Sequence, residues 1–208
     1  AMISVSNLLL DQLVITENGS INLGEAELEI ADGPGIDFQC FGSFPLGTAT
    51  LRVDANANVV FESGSSFTIG NFTNLIGPGT IDINDGAVFN FEGGSNIGTG
   101  LTINNYSTCN ISTNTELLFY GDNAVFNNYG VVNFNNNQAG SGATMRIQDE
   151  TLNVAFNNKA EGIINKTGIG ASGILETDQT SSMAFTNEGT VNILAGSFDI
   201  ASNSAVYN

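Results

Sequence analysis

Residues 185–193 read FTNEGTVNI, and residues 15–23 read ITENGSINL. The two stretches share one pattern, in which a hydroxyl or β-branched residue is followed by an aliphatic residue and then by a polar one. Copies of this motif begin at Ser20, Thr50, Thr80, Thr102, Val131, Ile163 and Thr190. Their spacing of 22 to 32 residues is typical of an array in which one supersecondary unit stacks on itself. The sequence therefore predicts a repeat fold that extends over residues 1–208 as one domain.

Each repeat has the pattern of β-strands rather than of helices. Val191 and Ile193 alternate with polar neighbours, so the two-residue period of a strand places the aliphatic side chains on one face. Residues 25–30 show the same alternation in a second strand, and the segments around Phe126, Phe156 and Phe185 form a third. Three strands per repeat, each with one buried face, predict an all-β parallel β-helix of about seven rungs.

Stacking of rungs about 4.8 Å apart brings equivalent side chains into columns along the axis. The sequence predicts an interior aromatic stack of Phe126, Phe156 and Phe185. It also predicts an amide ladder at the following corner, formed by Asn128, Asn158 and Asn187. Both sets are interpreted as structural rather than as ligand-binding.

The composition excludes several classes of function. Four basic and 21 acidic residues give a net charge of −17, which disfavours binding to nucleic acid or to an anionic membrane. No apolar run approaches the roughly 18 residues that span a bilayer, so we expect no membrane insertion by this segment. The acidity suits a secreted or surface-exposed protein. Cys40 and Cys109 occupy different positions in their repeats, and we expect two buried thiols rather than a disulfide.

A six-residue pattern occurs at residues 187–192 (NEGTVN) and 128–133 (NYGVVN), and more loosely at 17–22 (ENGSIN). This pattern resembles the repeats of large bacterial surface exoproteins. These are autotransporter passengers and filamentous-haemagglutinin-like adhesins. The resemblance implies a right-handed β-helix, export to the cell surface, and adhesion or stalk duty without catalysis. Residues 205–208 (AVYN) match residues 124–127 (AVFN), so we expect the chain to be a fragment that further repeats of the same protein would continue.

Polysaccharide lyases and hydrolases such as pectate lyase share this fold and provide the enzymatic alternative. They require paired carboxylates, often calcium, and a basic residue. Asp82 and Asp85, with Asn84 between them, form the best acidic cluster, and these three are also the candidate calcium ligands. Arg52 is expected to form an exposed ion pair with Asp82, and no histidine is present, so we expect no enzyme, and no cofactor unless calcium binds.

Two kinds of binding surface remain open. The exposed aromatic candidates for contact with a glycan or an extracellular-matrix surface are Tyr106, Tyr120 and Tyr129. Alternatively, the outward residues of the motif could form one flat lattice that matches ice or crystalline polysaccharide, with Thr50, Thr80, Thr102 and Thr190 in one rank. The sequence favours a non-enzymatic adhesin or stalk that is secreted or displayed on the cell surface.

Overall fold

The computed structural model describes residues 7–10, 12–138, 142–147, 153–175, 182–201 and 206–207. These residues form 25 strands, numbered β1 to β25 along the chain, in three parallel sheets. Two sheets have nine strands and one has seven, which corresponds to about eight turns of a β-solenoid with three strands per turn. Within these ranges there is no helix of the length and hydrophobicity that a membrane span requires.

The strands of each sheet come from successive turns. Sheet A consists of β1 (Asn7–Leu10), β3 (Glu27–Ile30), β6 (Thr50–Val53), β9 (Thr73–Ile76), β12 (Ser95–Ile97), β15 (Glu116–Phe119), β18 (Gly142–Ile147), β21 (Ala171–Leu175) and β24 (Ser197–Ala201). Sheet B consists of β2 (Leu13–Ile15), β4 (Phe38–Cys40), β7 (Asn58–Phe61), β10 (Thr80–Ile83), β13 (Thr102–Asn105), β16 (Val125–Asn128), β19 (Asn153–Asn158), β22 (Ser182–Asn187) and β25 (Val206–Tyr207). Sheet C consists of β5 (Ser43–Leu46), β8 (Ser66–Ile69), β11 (Val88–Phe91), β14 (Thr108–Ile111), β17 (Val131–Asn135), β20 (Ile163–Thr167) and β23 (Thr190–Ile193).

The chain passes from sheet A to B to C and then returns to A one rung further along. Thr80 pairs with Thr102 in sheet B, so one turn takes 22 residues at this level. The same offset separates Ser66 from Val88 in sheet C. Corners between strands are tight, and at Gly130 a Cβ atom would collide with the carbonyl of Ser107. Glycine at this position therefore lets successive corners lie directly above one another.

The core fills the space between the three sheets. In nearly every strand buried residues alternate with partly exposed ones, as the two-residue period requires. The expected aromatic stack is present, because the ring centroids of Phe126 and Phe156 lie 5.3 Å apart and those of Phe156 and Phe185 lie 5.8 Å apart. A second stack, which sequence reasoning missed, joins Phe44, Phe67 and Phe89 on the inner face of sheet C.

The prediction that the seven motif copies form one column is wrong. The copy at Thr50 lies in sheet A, the copies at Thr80 and Thr102 lie in sheet B, and the remaining strands with the motif lie in sheet C. Ser20 belongs with sheet C through a bridge to Ser43. The reason is physical: any half-buried strand places an aliphatic residue between two outward ones, so the motif identifies the buried face of a strand but not the sheet to which it belongs.

The last described rung also differs from the sequence expectation. The match of residues 205–208 to residues 124–127 predicts that Tyr207 continues the column of Phe126 and Phe185. The pairing instead aligns Thr186 with Val206 and Asn187 with Tyr207, an offset of 20 residues. Residues 205 and 208 lie outside the described residues.

Candidate functional site

A pair of stacked tyrosines lies on the surface at the corner between sheets B and C. Tyr106 follows β13, and its backbone N–H donates to the Ile83 carbonyl of the preceding rung at 2.9 Å. Tyr129 follows β16, and its backbone N–H donates to the Asn105 carbonyl at 2.8 Å. The two rings stack with centroids 4.7 Å apart and planes 13° apart. Tyr106 is 42% exposed and Tyr129 is half-buried. The repeat of the backbone thus forces two aromatic rings into contact on the surface.

The electrostatic surroundings of this pair are acidic. Partial burial, the nearby Asp82 carboxylate and the neighbouring Tyr129 phenol together raise the pKa of Tyr106 above its ordinary value. The hydroxyl therefore stays protonated at neutral pH and retains both donor and acceptor capacity.

A row of amides on the outer face of sheet B runs beside the tyrosines; we call it the outer amide row. The Nδ2 group of Asn104 donates to Asp82 at 2.8 Å, that of Asn127 donates to Asn104 at 2.9 Å, and that of Asn157 donates to Asn127 at 2.9 Å. These side chains are half-buried, so each bond is shared with solvent. Because an amide has two N–H groups and two acceptor positions, each side chain keeps capacity for an external hydrogen bond.

A second ladder lies inside the same corner and supports it. The expected ladder is present, with Asn128 donating to Asn158 and Asn158 donating to Asn187, both at 2.7 Å. Sequence reasoning missed that Asn105 extends it, donating to Asn128 at 2.8 Å. Asn105, Asn128 and Asn158 are fully buried. The signal for Asn105 was the shared Asn-Tyr dipeptide of residues 105–106 and 128–129, which the assignment of the motifs to one column obscured.

The structure does not bring the three predicted tyrosines together. Tyr120 follows β15 at the corner between sheets A and B and is 55% exposed. It lines a shallow cavity of about 390 Å³ with Arg52, Ile76, Pro78 and Thr99, among others. Tyr106 and Tyr129 therefore form one candidate site, and Tyr120 belongs to another part of the surface.

The flat rank of threonines is absent. Thr50 lies on sheet A, Thr80 and Thr102 are neighbours on sheet B, and Thr190 lies on sheet C. The most regular outer row lies instead on sheet C, where Asn90, Asn110, Asn133, Asn165 and Asn192 are joined by hydrogen bonds of 2.9 to 3.1 Å.

The charged residues pair differently from the sequence expectation. Arg52 is on sheet A and binds Glu27, with Nε 2.7 Å from Oε1, so the expected pair with Asp82 on sheet B is wrong. Arg146 lies 3.2 Å from Glu116. Each contact joins two adjacent strands of sheet A. Opposite charges on the same face of adjacent strands are close enough to pair.

The candidate calcium ligands are divided between different neighbours. Asp82 accepts from Asn104, whereas Asn84 donates to Glu62 at 2.9 Å. Asp85 is exposed in the turn after β10. In the ranges that the structure describes, no three His, Cys, Asp or Glu residues form a group that could hold a metal ion. Asp82 and Asn84 each bond to a residue of an adjacent rung, so a shared cation would compete with contacts between rungs.

Two buried thiols and one buried ammonium group also bear on the chemistry of the chain. Cys40 and Cys109 are free and buried, as expected, and burial raises the pKa of both thiols. Lys166 was missed by sequence reasoning. It occupies an inward position next to Phe134 of the preceding rung, and its ammonium donates to the carbonyls of Thr167, Gly168 and Ala195 at 2.8, 2.8 and 3.2 Å. Burial lowers the pKa of Lys166, and its bonds to turn carbonyls give it a structural role.

No protein-family model, curated protein or solved structure matches this chain.

Proposed function

We propose that this chain is a non-enzymatic β-solenoid module that binds glycans or extracellular-matrix surfaces as an adhesin or stalk segment. The observation that carries the proposal is the exposed stack of Tyr106 and Tyr129 beside the outer amide row. Aromatic rings provide contact area at low conformational cost, and amides provide adaptable hydrogen bonds. A sugar or a polar polymer offers both complementary groups.

The scaffold supports this role because backbone and side-chain hydrogen bonds between rungs hold the corner that carries the pair. The two rings are carried on successive rungs, and the buried amide ladder fixes the corner from inside. A site on a rigid element loses little conformational entropy on binding. A repeating surface would also allow one polymer to contact several rungs at once, and such multivalency increases avidity without new chemistry.

The resemblance of the repeats to bacterial surface exoproteins supports the further proposal of a secreted or cell-surface location. The net charge of −17 is in keeping with solubility outside the cell. Further solenoid repeats of the same protein are the proposed neighbours in the chain.

The test is binding to insoluble cellulose, chitin and matrix material, together with a glycan array read with and without calcium. The double variant Tyr106→Ala/Tyr129→Ala should lose at least about tenfold in affinity, as expected when an aromatic anchor is truncated. The matched control is Tyr120→Ala, which removes an exposed tyrosine from another corner and should bind as the wild type does.

The same protein should cleave neither pectate nor alginate when calcium is present. Calcium-dependent cleavage that disappears in Asp82→Ala or Asp85→Ala would overturn the proposal in favour of the lyase-like alternative. Equal binding by the tyrosine double variant and the wild type would remove the role of the tyrosine pair.

The outer asparagine row of sheet C favours a second candidate function, recognition of a crystalline partner such as ice or packed polysaccharide. Five amides in register on adjacent strands form a straight row with the rung repeat. An Asn110→Tyr/Asn133→Tyr variant would interrupt that row. Loss of binding in this variant, with binding retained in Tyr106→Ala/Tyr129→Ala, would favour the second candidate.

A further inference from the structure

One residue of the solenoid surface has a conformation that its amino acid disfavours. Four described residues other than glycine have positive φ, and three of them are Asn56, Asn114 and Asn123. Asparagine is the side chain that tolerates this left-handed region best. The fourth is Phe72, with φ of 61°. For a bulky residue this conformation is an outlier that costs free energy.

Phe72 gains nothing from burial that would offset this cost. It is 79% exposed, the largest exposed fraction among the large hydrophobic residues that the structure describes. An aromatic ring in the core can compensate for backbone strain through buried area, but an exposed ring cannot. A disfavoured backbone conformation and an exposed apolar side chain therefore coincide at one position. Residues held in such disfavoured backbone conformations cluster at ligand-binding and active sites.

The surrounding turn holds Phe72 in place. Its N–H donates to the Gly94 carbonyl of the next rung at 2.6 Å, and the Gly94 N–H donates to Oδ1 of Asn71 at 3.2 Å. On the other side, Thr73 is buried, and its hydroxyl donates to the Gly47 carbonyl of the preceding rung at 2.5 Å. Hydrogen bonds to both adjacent rungs thus fix the backbone that displays the ring.

The turn of the next rung carries no side chain at Gly94, where an added Cβ atom would meet nothing within 4 Å. Gly93 and Gly94 carry no side chains, and a Cβ atom on Gly93 would collide with Asn71. Asn71 is exposed and uses its Oδ1 atom for Gly94, so its Nδ2 group remains available to a ligand. The site therefore combines one open aromatic face with one amide donor.

We propose that Phe72, with Asn71, forms a second glycan-binding subsite at the corner between sheets C and A, and that its ligand is a neutral polysaccharide. The proposal rests on the proposed glycan-binding function and adds a site and a ligand class. Polarised C–H groups on the flat face of a sugar ring match the negative face of an aromatic ring. A net charge of −17 disfavours acidic polysaccharides.

The size of the site favours a sugar over a protein partner. One aromatic ring provides at most about 150–250 Å² of contact. A specific protein interface needs about 800 Å² on each partner. In the rungs directly before and after Phe72, no other large apolar residue among those described is exposed at the corner between sheets C and A. The ring therefore has no adjacent apolar surface that would extend the contact.

The decisive variant is Phe72→Asn, because it separates a binding role from a structural one. Asparagine suits the left-handed backbone, so the variant should melt about 2–4 °C above the wild type. It should also bind microcrystalline cellulose, chitin and their soluble hexasaccharides at least about tenfold more weakly. Phe72→Tyr keeps the ring and should bind as the wild type does.

Two further variants complete the design. Asn114→Phe places a phenylalanine in the left-handed position of the same corner two rungs away, and it should lower the melting temperature without changing binding. Tyr106→Ala/Tyr129→Ala tests the other site in the same assays.

The outcomes are distinguishable. Unchanged binding in Phe72→Asn, or binding lost together with a lowered melting temperature, would overturn the Phe72 subsite, as would loss of binding in Phe72→Tyr. If the tyrosine double variant alone loses binding, the proposed function stands and the subsite fails. If the wild type binds none of the saccharides, the glycan-binding function itself fails, and the subsite with it.

Discussion

Replacement of Asn158 tests how far the buried amide ladder stabilises the solenoid. Asn158 is fully buried, accepts from Asn128 at 2.7 Å and donates to Asn187 at 2.7 Å. Its Nδ2 group also lies 3.3 Å from the carbonyl of Gly162. Asn158→Ala removes both short bonds. It leaves the Nδ2 group of the fully buried Asn128 with only the longer contact to the Ile163 carbonyl at 3.3 Å, and it leaves the half-buried Asn187 without its donor. A buried group left without a good partner costs about 1–3 kcal/mol, and the half-buried Asn187 contributes less because water can reach it, so we expect a total loss of about 2–4 kcal/mol in the free energy of unfolding.

The matched control is Asn157→Ala on the same strand. Asn157 also belongs to an amide row, donating to Asn127 at 2.9 Å, but it is half-buried on the outer face. Water can replace its bonds, so we expect a loss below about 1 kcal/mol. Urea unfolding followed by circular dichroism gives the free energies, and amide hydrogen exchange shows whether the loss is confined to rungs near β19. Equal losses in the two variants would refute the view that the buried ladder is the stronger support.

Three further predictions follow from burial and from the pKa shifts. Phe156→Ala should lower the free energy of unfolding by about 3–5 kcal/mol through lost burial and a cavity, whereas Thr190→Ala at an exposed position should lower it by less than about 1 kcal/mol. Urea unfolding compares the two variants, and equal losses would mean that the inner and outer faces are assigned the wrong way round. Cys40 and Cys109 should react with a thiol reagent at neutral pH only after unfolding, because both are buried with raised pKa values; rapid labelling of the folded protein would contradict this. Tyr106 should ionise at higher pH than a free tyrosine, so its contribution to stability is complete below the ordinary tyrosine pKa and is lost as pH rises through the raised pKa. Ultraviolet titration should show a lower ionisation midpoint for Tyr106 in Asp82→Asn. An unchanged midpoint in this variant would exclude an influence of the Asp82 carboxylate.

Much of the fold could be predicted from the sequence because the rule that produces it is local. Alternation of buried and outward residues identifies strands, and recurrence of the pattern identifies stacking. The sequence was sufficient to predict two columns because the strands that carry them pair in register in sheet B. These columns are the aromatic stack of Phe126, Phe156 and Phe185 and the amide ladder of Asn128, Asn158 and Asn187. The right-handed coil and the continuation of the chain by further repeats stay predictions.

The assignment of strands to sheets could not be predicted from the same pattern. The three sheets follow one rule of alternation, so Thr50, Thr80 and Thr190 look equivalent in sequence although they lie on three different sheets. Sheet identity depends on the number of residues in each corner, and that number varies from rung to rung. The expected pair of Arg52 with Asp82 and the flat threonine rank both failed for this reason.

The candidate site could be predicted only in part. The sequence identifies the three tyrosines as candidates for exposure. Which of them lie together depends on the register of the strands, which places Tyr106 next to Tyr129 and separates Tyr120 from both. The left-handed conformation of Phe72 could not be predicted from the sequence, because phenylalanine disfavours it and the other non-glycine residues that adopt it among those described are asparagines. A backbone angle and an exposed fraction were needed to identify it.

The arrangement of strands in three sheets positions every site described above, and electron paramagnetic resonance tests it most directly. Nitroxide labels on Thr80→Cys/Thr102→Cys should show strong spin–spin broadening, because these residues pair in sheet B at the strand spacing of about 4.8 Å. Labels on Thr50→Cys/Thr80→Cys should show little broadening, because Thr50 lies on sheet A. Strong broadening in the second pair, or its absence in the first, would contradict the three-sheet register and with it the placement of Tyr106 beside Tyr129.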